Sequence, residues 1–242
     1  MHLLDFLFPR RCLDCGKIGK YFCQNCLTKI KFITHPICPV CTRSAIDGAT
    51  HPRCQTKYTL DGLTSFFRYE GIVRKAIKAI KYRFVSDLAK EFIGLIPASS
   101  FQPITHNSPA HNASSIADAG GQPITLIPIP LHPTRLRFRG FNQAEVLGKL
   151  LAKRLKISVK TNILKRVRKT VPQVEMKDRK KRLQNMEGVF TVSPNPPAGG
   201  SQYPNILLFD DVFTTGATLR SAASMLKHAG VEKVWGVALA HG

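Results

Sequence analysis

All seven cysteines of this 242-residue chain lie before residue 55, and they fall at a fixed spacing. Cys12 and Cys15, Cys23 and Cys26, and Cys38 and Cys41 form C-x-x-C pairs. His51-x-x-Cys54 follows as a further pair, with histidine in its first place. A C-x-x-C turn presents two thiolates from one tight knuckle, and two knuckles close a tetrahedron around Zn²⁺. Residues 1–59 hold few large apolar side chains, so they cannot build a sufficient core alone. Metal ligation supplies the missing folding free energy. Pairing neighbouring knuckles predicts two structural zinc sites: Cys12, Cys15, Cys23 and Cys26 in the first, and Cys38, Cys41, His51 and Cys54 in the second. His35 is a rival ligand for the second site. A disulfide framework is the alternative for the whole set. The odd cysteine count and the lack of an export signal argue against it. Met1–Pro9 is apolar but short, has no positive lead and runs straight into Arg10-Arg11-Cys12.

Past residue 59 the patterning becomes that of an α/β domain over residues 60–242. Leu63 to Tyr69 reads as a strand, and Ile72, Ala76, Ile77 and Ile80 recur at helical spacing, as do Leu88, Phe92 and Leu95. Residues 98–123 are rich in Ser, Ala, Asn, Pro and Gly and read as a surface insertion or linker. Strands and helices then alternate, which predicts a mostly parallel sheet flanked by helices. The strand candidates are Thr125 to Ile129, Asn162 to Lys165, Val189 to Val192, Ile206 to Phe209 and Lys233 to Leu239. Helices are expected over Gln143 to Leu155 and Thr218 to Ala229, the second stopped by Gly230. Residues 193–204 form a second loose loop, dense in Pro and Gly.

The most informative segment runs from Ile206 to Thr218. Ile206-Leu207-Leu208-Phe209 is a buried strand, and Asp210 and Asp211 sit at its C-terminal end, where parallel α/β sheets bind ligands. Thr214, Thr215, Gly216, Ala217 and Thr218 then form a small, hydroxyl-rich loop entering a helix, a cradle for an anion. Adjacent carboxylates suit vicinal sugar hydroxyls, so a ribose 5-phosphate satisfies both halves. The bland alternative is two solvated carboxylates before an ordinary helix. In full, the segment resembles the PRPP-binding motif of type I phosphoribosyltransferases. That resemblance implies that Asp210 and Asp211 hold the ribose hydroxyls, that residues 214–218 hold the 5′-phosphate, and that Mg²⁺ accompanies PRPP.

Upstream, Ile127-Pro128-Ile129-Pro130 leads into a basic loop with Arg135, Arg137 and Arg139, suited to clamping a pyrophosphate. Arg139-Gly140-Phe141-Asn142 resembles a signature of the ComF family, whose members join a double zinc ribbon to a phosphoribosyltransferase core. Lys81-Tyr82, Arg166-x-x-Lys169-Thr170-x-x-Gln173, Arg179, Arg182, Asn185 and Phe190 match further pieces. The resemblance covers nearly the whole chain except the loops at 98–123 and 193–204. It departs at His51, where the eight-cysteine form has cysteine. It implies a type I phosphoribosyltransferase-like fold behind a zinc-ribbon module, and PRPP binding. It also implies work on incoming single-stranded DNA in natural competence, with a competence helicase as partner. The place would be the cytoplasm, at the inner face of the membrane. Two alternatives stay open: an active transferase on a metabolic acceptor, and a catalytically silent PRPP-responsive regulator.

The charge balance agrees with a polyanionic partner. Lys and Arg number 36 against 15 Asp and Glu, a formal net charge of +21. Fold stability does not call for such an excess. Arg166, Arg168, Lys169, Lys177, Arg179, Lys180, Lys181 and Arg182 are the candidate nucleic-acid contacts, with Tyr82, Phe138 and Phe141 as stacking faces. The same run also reads as a solvated helix face. No apolar run is long enough for a transmembrane helix.

Overall fold

The computed structural model describes residues 9–82, 86–101, 124–168, 186, 188–193 and 205–242. Its centre is a five-stranded, wholly parallel sheet in the order β1-β7-β6-β2-β3. The strands are β1 (Gly62–Arg68), β2 (Ile124–Pro128), β3 (Ser158–Val159), β6 (Asn205–Phe213) and β7 (Lys233–His241). β4 (Leu164–Arg166) and β5 (Phe190–Val192) make a separate antiparallel ribbon. Among the described residues, besides one turn of helix at Gln24–Leu27, five helices accompany them: α1 (Gly71–Tyr82), α2 (Ser86–Gly94), α3 (Pro133–Arg139), α4 (Gln143–Leu155) and α5 (Ala217–His228).

The period-2 alternation of the central strand builds both layers. Leu207 and Phe209 face a core shared with α1, α2 and α4. Ile206 and Leu208 face a second core shared with α5 and with Leu164 and Phe190 of the ribbon. The parallel α/β class follows, as the alternating pattern predicts.

Local chemistry sets the boundaries. Asn142 caps α4 by accepting from the Ala144 N–H, and its own amide donates to Ile129 O at 3.0 Å. That bond ties the start of α4 to the exit of β2. β6 runs four residues past Phe209, with Asp210 paired to Ala238 and Val212 to Ala240, so both carboxylates lie inside the ladder. The basic segment after β2 is a helix rather than a loop. His132 accepts from the Thr134 N–H, Pro133 opens α3, and Gly140 closes it at φ 82°. The residues at 98–101 form a 3₁₀ turn that buries Phe101 against Phe66 and under Arg154. The remainder of the 98–123 insertion and all but Ser193 of the 193–204 loop lie outside the described residues.

The cysteine-rich segment packs onto this sheet. Phe22 stacks on Phe92 of α2 at 5.7 Å between centroids, and its N–H donates to Glu91. Cys12 and Cys26 belong to the same core as α1 and α2. Lys31 O accepts from the Arg68 N–H, and the Ile33 N–H donates to Phe66 O, so residues 31–33 flank the free edge of β1.

Candidate functional site

Two thiol-rich clusters sit in the N-terminal segment. Cys12, Cys15, Cys23 and Cys26 converge in one, and Cys38, Cys41, His51 and Cys54 in the other, each with its donor atoms within 4.8 Å of one another. The spacing fits zinc. Sulfurs bound at about 2.3 Å on a tetrahedron stand roughly 3.7 Å apart, and Cys15 Sγ lies 3.6 Å from Cys23 Sγ. His51 presents Nδ1 to Cys41 Sγ at 3.3 Å, while Nε2 lies 2.9 Å from Ser44 O. An Nε2–H donated to that carbonyl leaves Nδ1 free as a ligand, the usual outer-shell arrangement of a metal-bound histidine.

Burial pushes the Cys12 thiol up, but N–H bonds from Cys23, Cys15 and Asp14 outweigh it and bring it to about 6. Burial, with the neighbouring thiols, raises Cys26. In the second cluster the Arg43 N–H leads in bringing Cys41 down to about 6, and burial leads in raising Cys54 to about 11. Zn²⁺ would hold all of these as thiolates and supply cross-linking rather than chemistry, because four protein ligands leave no open position.

The second constellation stands at the C-terminal end of the sheet. Asp211 is buried, and its Oδ2 lies 2.9 Å from Lys81 Nζ on the last turn of α1. Burial pushes Lys81 down, yet the Asp211 charge more than offsets this and raises it. Asp210 is half-buried, and its Oδ1 accepts from the Asp211 N–H at 2.9 Å. Burial, then the Asp211 charge, raises its carboxyl to about 7. A carboxyl held so near neutrality is poised to respond to a ligand.

The loop after β6 fits close backbone approach. Gly216 has φ 74°, and a Cβ there would fall 2.6 Å from the Phe213 ring. Both conditions require glycine. Thr215 is buried and its Oγ1 accepts from the Ala217 N–H, while Thr214 and Thr218 are half-buried. The cradle therefore opens onto α5 with hydroxyls and N–H groups.

Basic groups gather beside it. Arg166 on β4 feels burial first, then the charges of Arg135 and Asp210. Arg139 donates to Gln143 and lies over the Tyr82 ring at 5.8 Å. Thus Lys81 of α1 pairs with Asp211, Arg166 of β4 feels both Asp210 and Arg135 of α3, and Arg139 stands by Tyr82, the residue after Lys81. Lys81 was visible in sequence as part of a motif, but its partnership with Asp211 was not, because 130 positions separate them. Arg168 is exposed on the strand's exit, whereas Lys169, Lys177, Arg179, Lys180, Lys181 and Arg182 lie outside the described residues. At the outer rim Tyr82 and Phe138 are 74% and 91% exposed.

Comparison with known proteins meets this geometry. Residues 3–55 match the sequence model of the double zinc ribbon domain. A 237-residue stretch, 91% of the chain, is 28% identical to Competence protein ComFC of Bacillus subtilis and covers 83% of it. A 122-residue stretch, 49% of the chain, is 40% identical to Competence protein F of Haemophilus influenzae. The chain is thus similar to two competence proteins and carries a double zinc ribbon at its N-terminal end. The match to Competence protein F spans 51% of that relative's length, so only about half of it is represented. The two clusters are then the structural zinc sites of the double zinc ribbon. No helix among the described residues is long and apolar enough to cross a membrane.

Proposed function

We propose that this chain is a ComF-family protein that binds PRPP with Mg²⁺ in a phosphoribosyltransferase-like site and serves the handling of single-stranded DNA in competence. The observation that carries the PRPP reading is the Asp210–Asp211 pair, half-buried and buried, at the end of the strand that leads into the Thr214–Thr218 cradle. Carboxylate oxygens accept from vicinal hydroxyls, and the cradle's N–H and O–H groups donate to a phosphate. The names of its relatives, Competence protein F and ComFC, support the cellular role.

In a transferase the C1–pyrophosphate bond of PRPP breaks and a bond from C1 to an acceptor nucleophile forms. Positive charge develops at C1 and negative charge on the leaving pyrophosphate. Asp210 and Asp211 orient the ribose, and the ion pair with Lys81 holds the Asp211 side chain in place. Arg135, Arg139 and Arg166 offer charge to the leaving group. Catalysis of this kind rests on positioning and electrostatics. Mg²⁺ carried on PRPP would neutralise pyrophosphate charge, and Asp210 and Asp211 are the hard oxygen donors within its reach.

The rim supports a nucleic-acid role. Exposed Phe138 lies between Arg137 and Arg139 in sequence, and Arg139 lies over the exposed Tyr82 ring, which pairs stacking faces with phosphate contacts. A competence helicase partner and action at the inner membrane face belong to this same reading. A catalytically silent PRPP-responsive protein is the second reading, since a pocket does not by itself require turnover.

Calorimetric titration with PRPP and Mg²⁺, against an Asp210→Asn, Asp211→Asn double variant, tests the pocket. Binding lost in the variant supports it. No binding to the unmodified protein rejects it. Release of pyrophosphate with an acceptor then separates transferase from silent binder.

A further inference from the structure

The second cysteine cluster does more than fold its own ribbon. Pro39 O lies 3.4 Å from where a Cβ on Gly216 would stand, so the Cys38–Cys41 knuckle touches the candidate phosphate cradle from behind. Next to it, Ile37 packs on the core that holds Phe213, just before the cradle, and Ala217 within it. Cys38 itself is fully buried.

The other half of the cluster is anchored elsewhere. The Thr50 N–H donates to Asp61 O, its hydroxyl donates to Leu60 O, and Ala49 bridges to Gly62 at the start of β1. Asp61 in turn pairs with Lys227 of α5 at 2.8 Å and accepts from the Val234 N–H. Residues 49–51 are therefore tied to the body of the sheet. Residues 37–39 carry the contact to Gly216, and backbone bonds that stay within residues 36–45 surround them: the Ile37–Ser44 bridge, Cys38 N–H to Arg43 O, Thr42 N–H to Cys38 O and Ala45 N–H to Pro36 O. The ligand set Cys38, Cys41, His51 and Cys54 spans the two halves, beside the His51–Ser44 contact.

We infer that the second zinc site positions the phosphate cradle, the ion cross-linking the anchored His51–Cys54 half to the Cys38–Pro39 segment that backs Gly216. This rests on the PRPP reading only for its consequence in binding. The cross-link acts on the backbone of residues 213–217 whether or not PRPP is the ligand. A preorganised cradle binds its anion without first being ordered, and a misplaced one loses affinity.

Hydrogen exchange of the full-length protein isolates the mechanical part. His51→Ala is expected to release one zinc per chain and to speed amide exchange over residues 213–217, while His51→Cys, which keeps a competent ligand, restores slow exchange. Ile46→Ser, on the ribbon but 87% exposed, serves as the folding control. PRPP affinity in His51→Ala is expected to fall by on the order of tenfold to a hundredfold, with recovery in His51→Cys. If His51→Ala fails to fold, partial chelation of the unmodified protein with exchange read at the same amides gives the same answer. Zinc loss with unchanged exchange over 213–217 overturns the inference. Accelerated exchange with no PRPP binding in the unmodified protein keeps the inference and rejects PRPP as the ligand.

Discussion

Lys81 Nζ stands 2.9 Å from Asp211 Oδ2, which joins the last turn of α1 to the end of the central strand. Asp211 is buried and Lys81 half-buried, so removing the lysine leaves a desolvated carboxylate without its partner. Lys81→Met is expected to cost about 3 kcal/mol of stability in urea unfolding. A Lys81→Met, Asp211→Asn double variant should lose less than the single Lys81→Met, because no orphan charge remains. A double variant as unstable as the sum of its singles would mean the contact is incidental.

Asp210 makes a pH-dependent contribution of unusual sign for a carboxylate. Its folded pKa is raised to about 7 by burial and by Asp211, above its ordinary value. The folded state therefore holds the proton more tightly than the unfolded chain between about pH 4 and 7. The associated stability is fully present at the acid end and is lost as pH rises through 7. Unfolding free energies of Asp210→Asn should pull ahead of the unmodified protein across that window and run parallel above it. A constant difference from pH 4 to 8 would place the Asp210 pKa at its ordinary value.

Metal removal follows from the two ligand sets. A chelator is expected to release two zinc ions per chain, read with a metallochromic dye, and to lower the calorimetric midpoint of the whole protein. The fall reaches the sheet because Cys12, Cys26 and Phe22 share one core with Phe92 and Ile77. Release of one ion per chain would reject the pairing of Cys38 and Cys41 with His51 and Cys54.

Spacing and periodicity made much of this legible in advance. Knuckle spacing is local, so both ligand sets could be written down, with His51 in place of a cysteine. The four apolar residues at 206–209 could only be a strand covered on both faces. Less visible were contacts between distant segments and structures set by weak signals. Lys81 against Asp211 and Pro39 against Gly216 depend on how the layers stack. The α3 helix hid behind three arginines that suggested a loop, although His132, Pro133 and Gly140 are its cap, first residue and stop. Ser158–Val159 is too short to show any alternation, and sheet position alone makes it a strand.

Trp235 offers a probe of how closely β1 and β7 approach. It is the chain's single tryptophan, and its Nε1–H donates to Thr64 Oγ1 at 3.0 Å. A Cβ on Gly62 would fall 2.2 Å from its ring. Gly62→Ala is expected to cost about 1–3 kcal/mol by overpacking and to shift tryptophan emission to the red as the indole is pushed outward. Unchanged emission and stability would show that the ring has room to move.

The exposed rim separates stacking from charge in the nucleic-acid reading. Tyr82 and Phe138 project into solvent, and Arg168 is exposed at the exit of β4. A base stacked on an aromatic ring contributes about 1–3 kcal/mol, and that contribution is insensitive to salt. A phosphate held by arginine releases counterions and steepens the salt dependence. Single-stranded DNA affinity, measured by anisotropy from low to moderate salt, should then respond in two different ways. Phe138→Ala is expected to weaken binding at every salt concentration with the slope unchanged. Arg168→Ala is expected to flatten the slope by roughly 0.7, as one lost phosphate contact on a single strand requires. If Phe138→Ala alters only the slope, or Arg168→Ala only the intercept, the rim does not read nucleic acid in this way. If neither variant changes binding, the DNA-binding surface lies elsewhere on this basic chain.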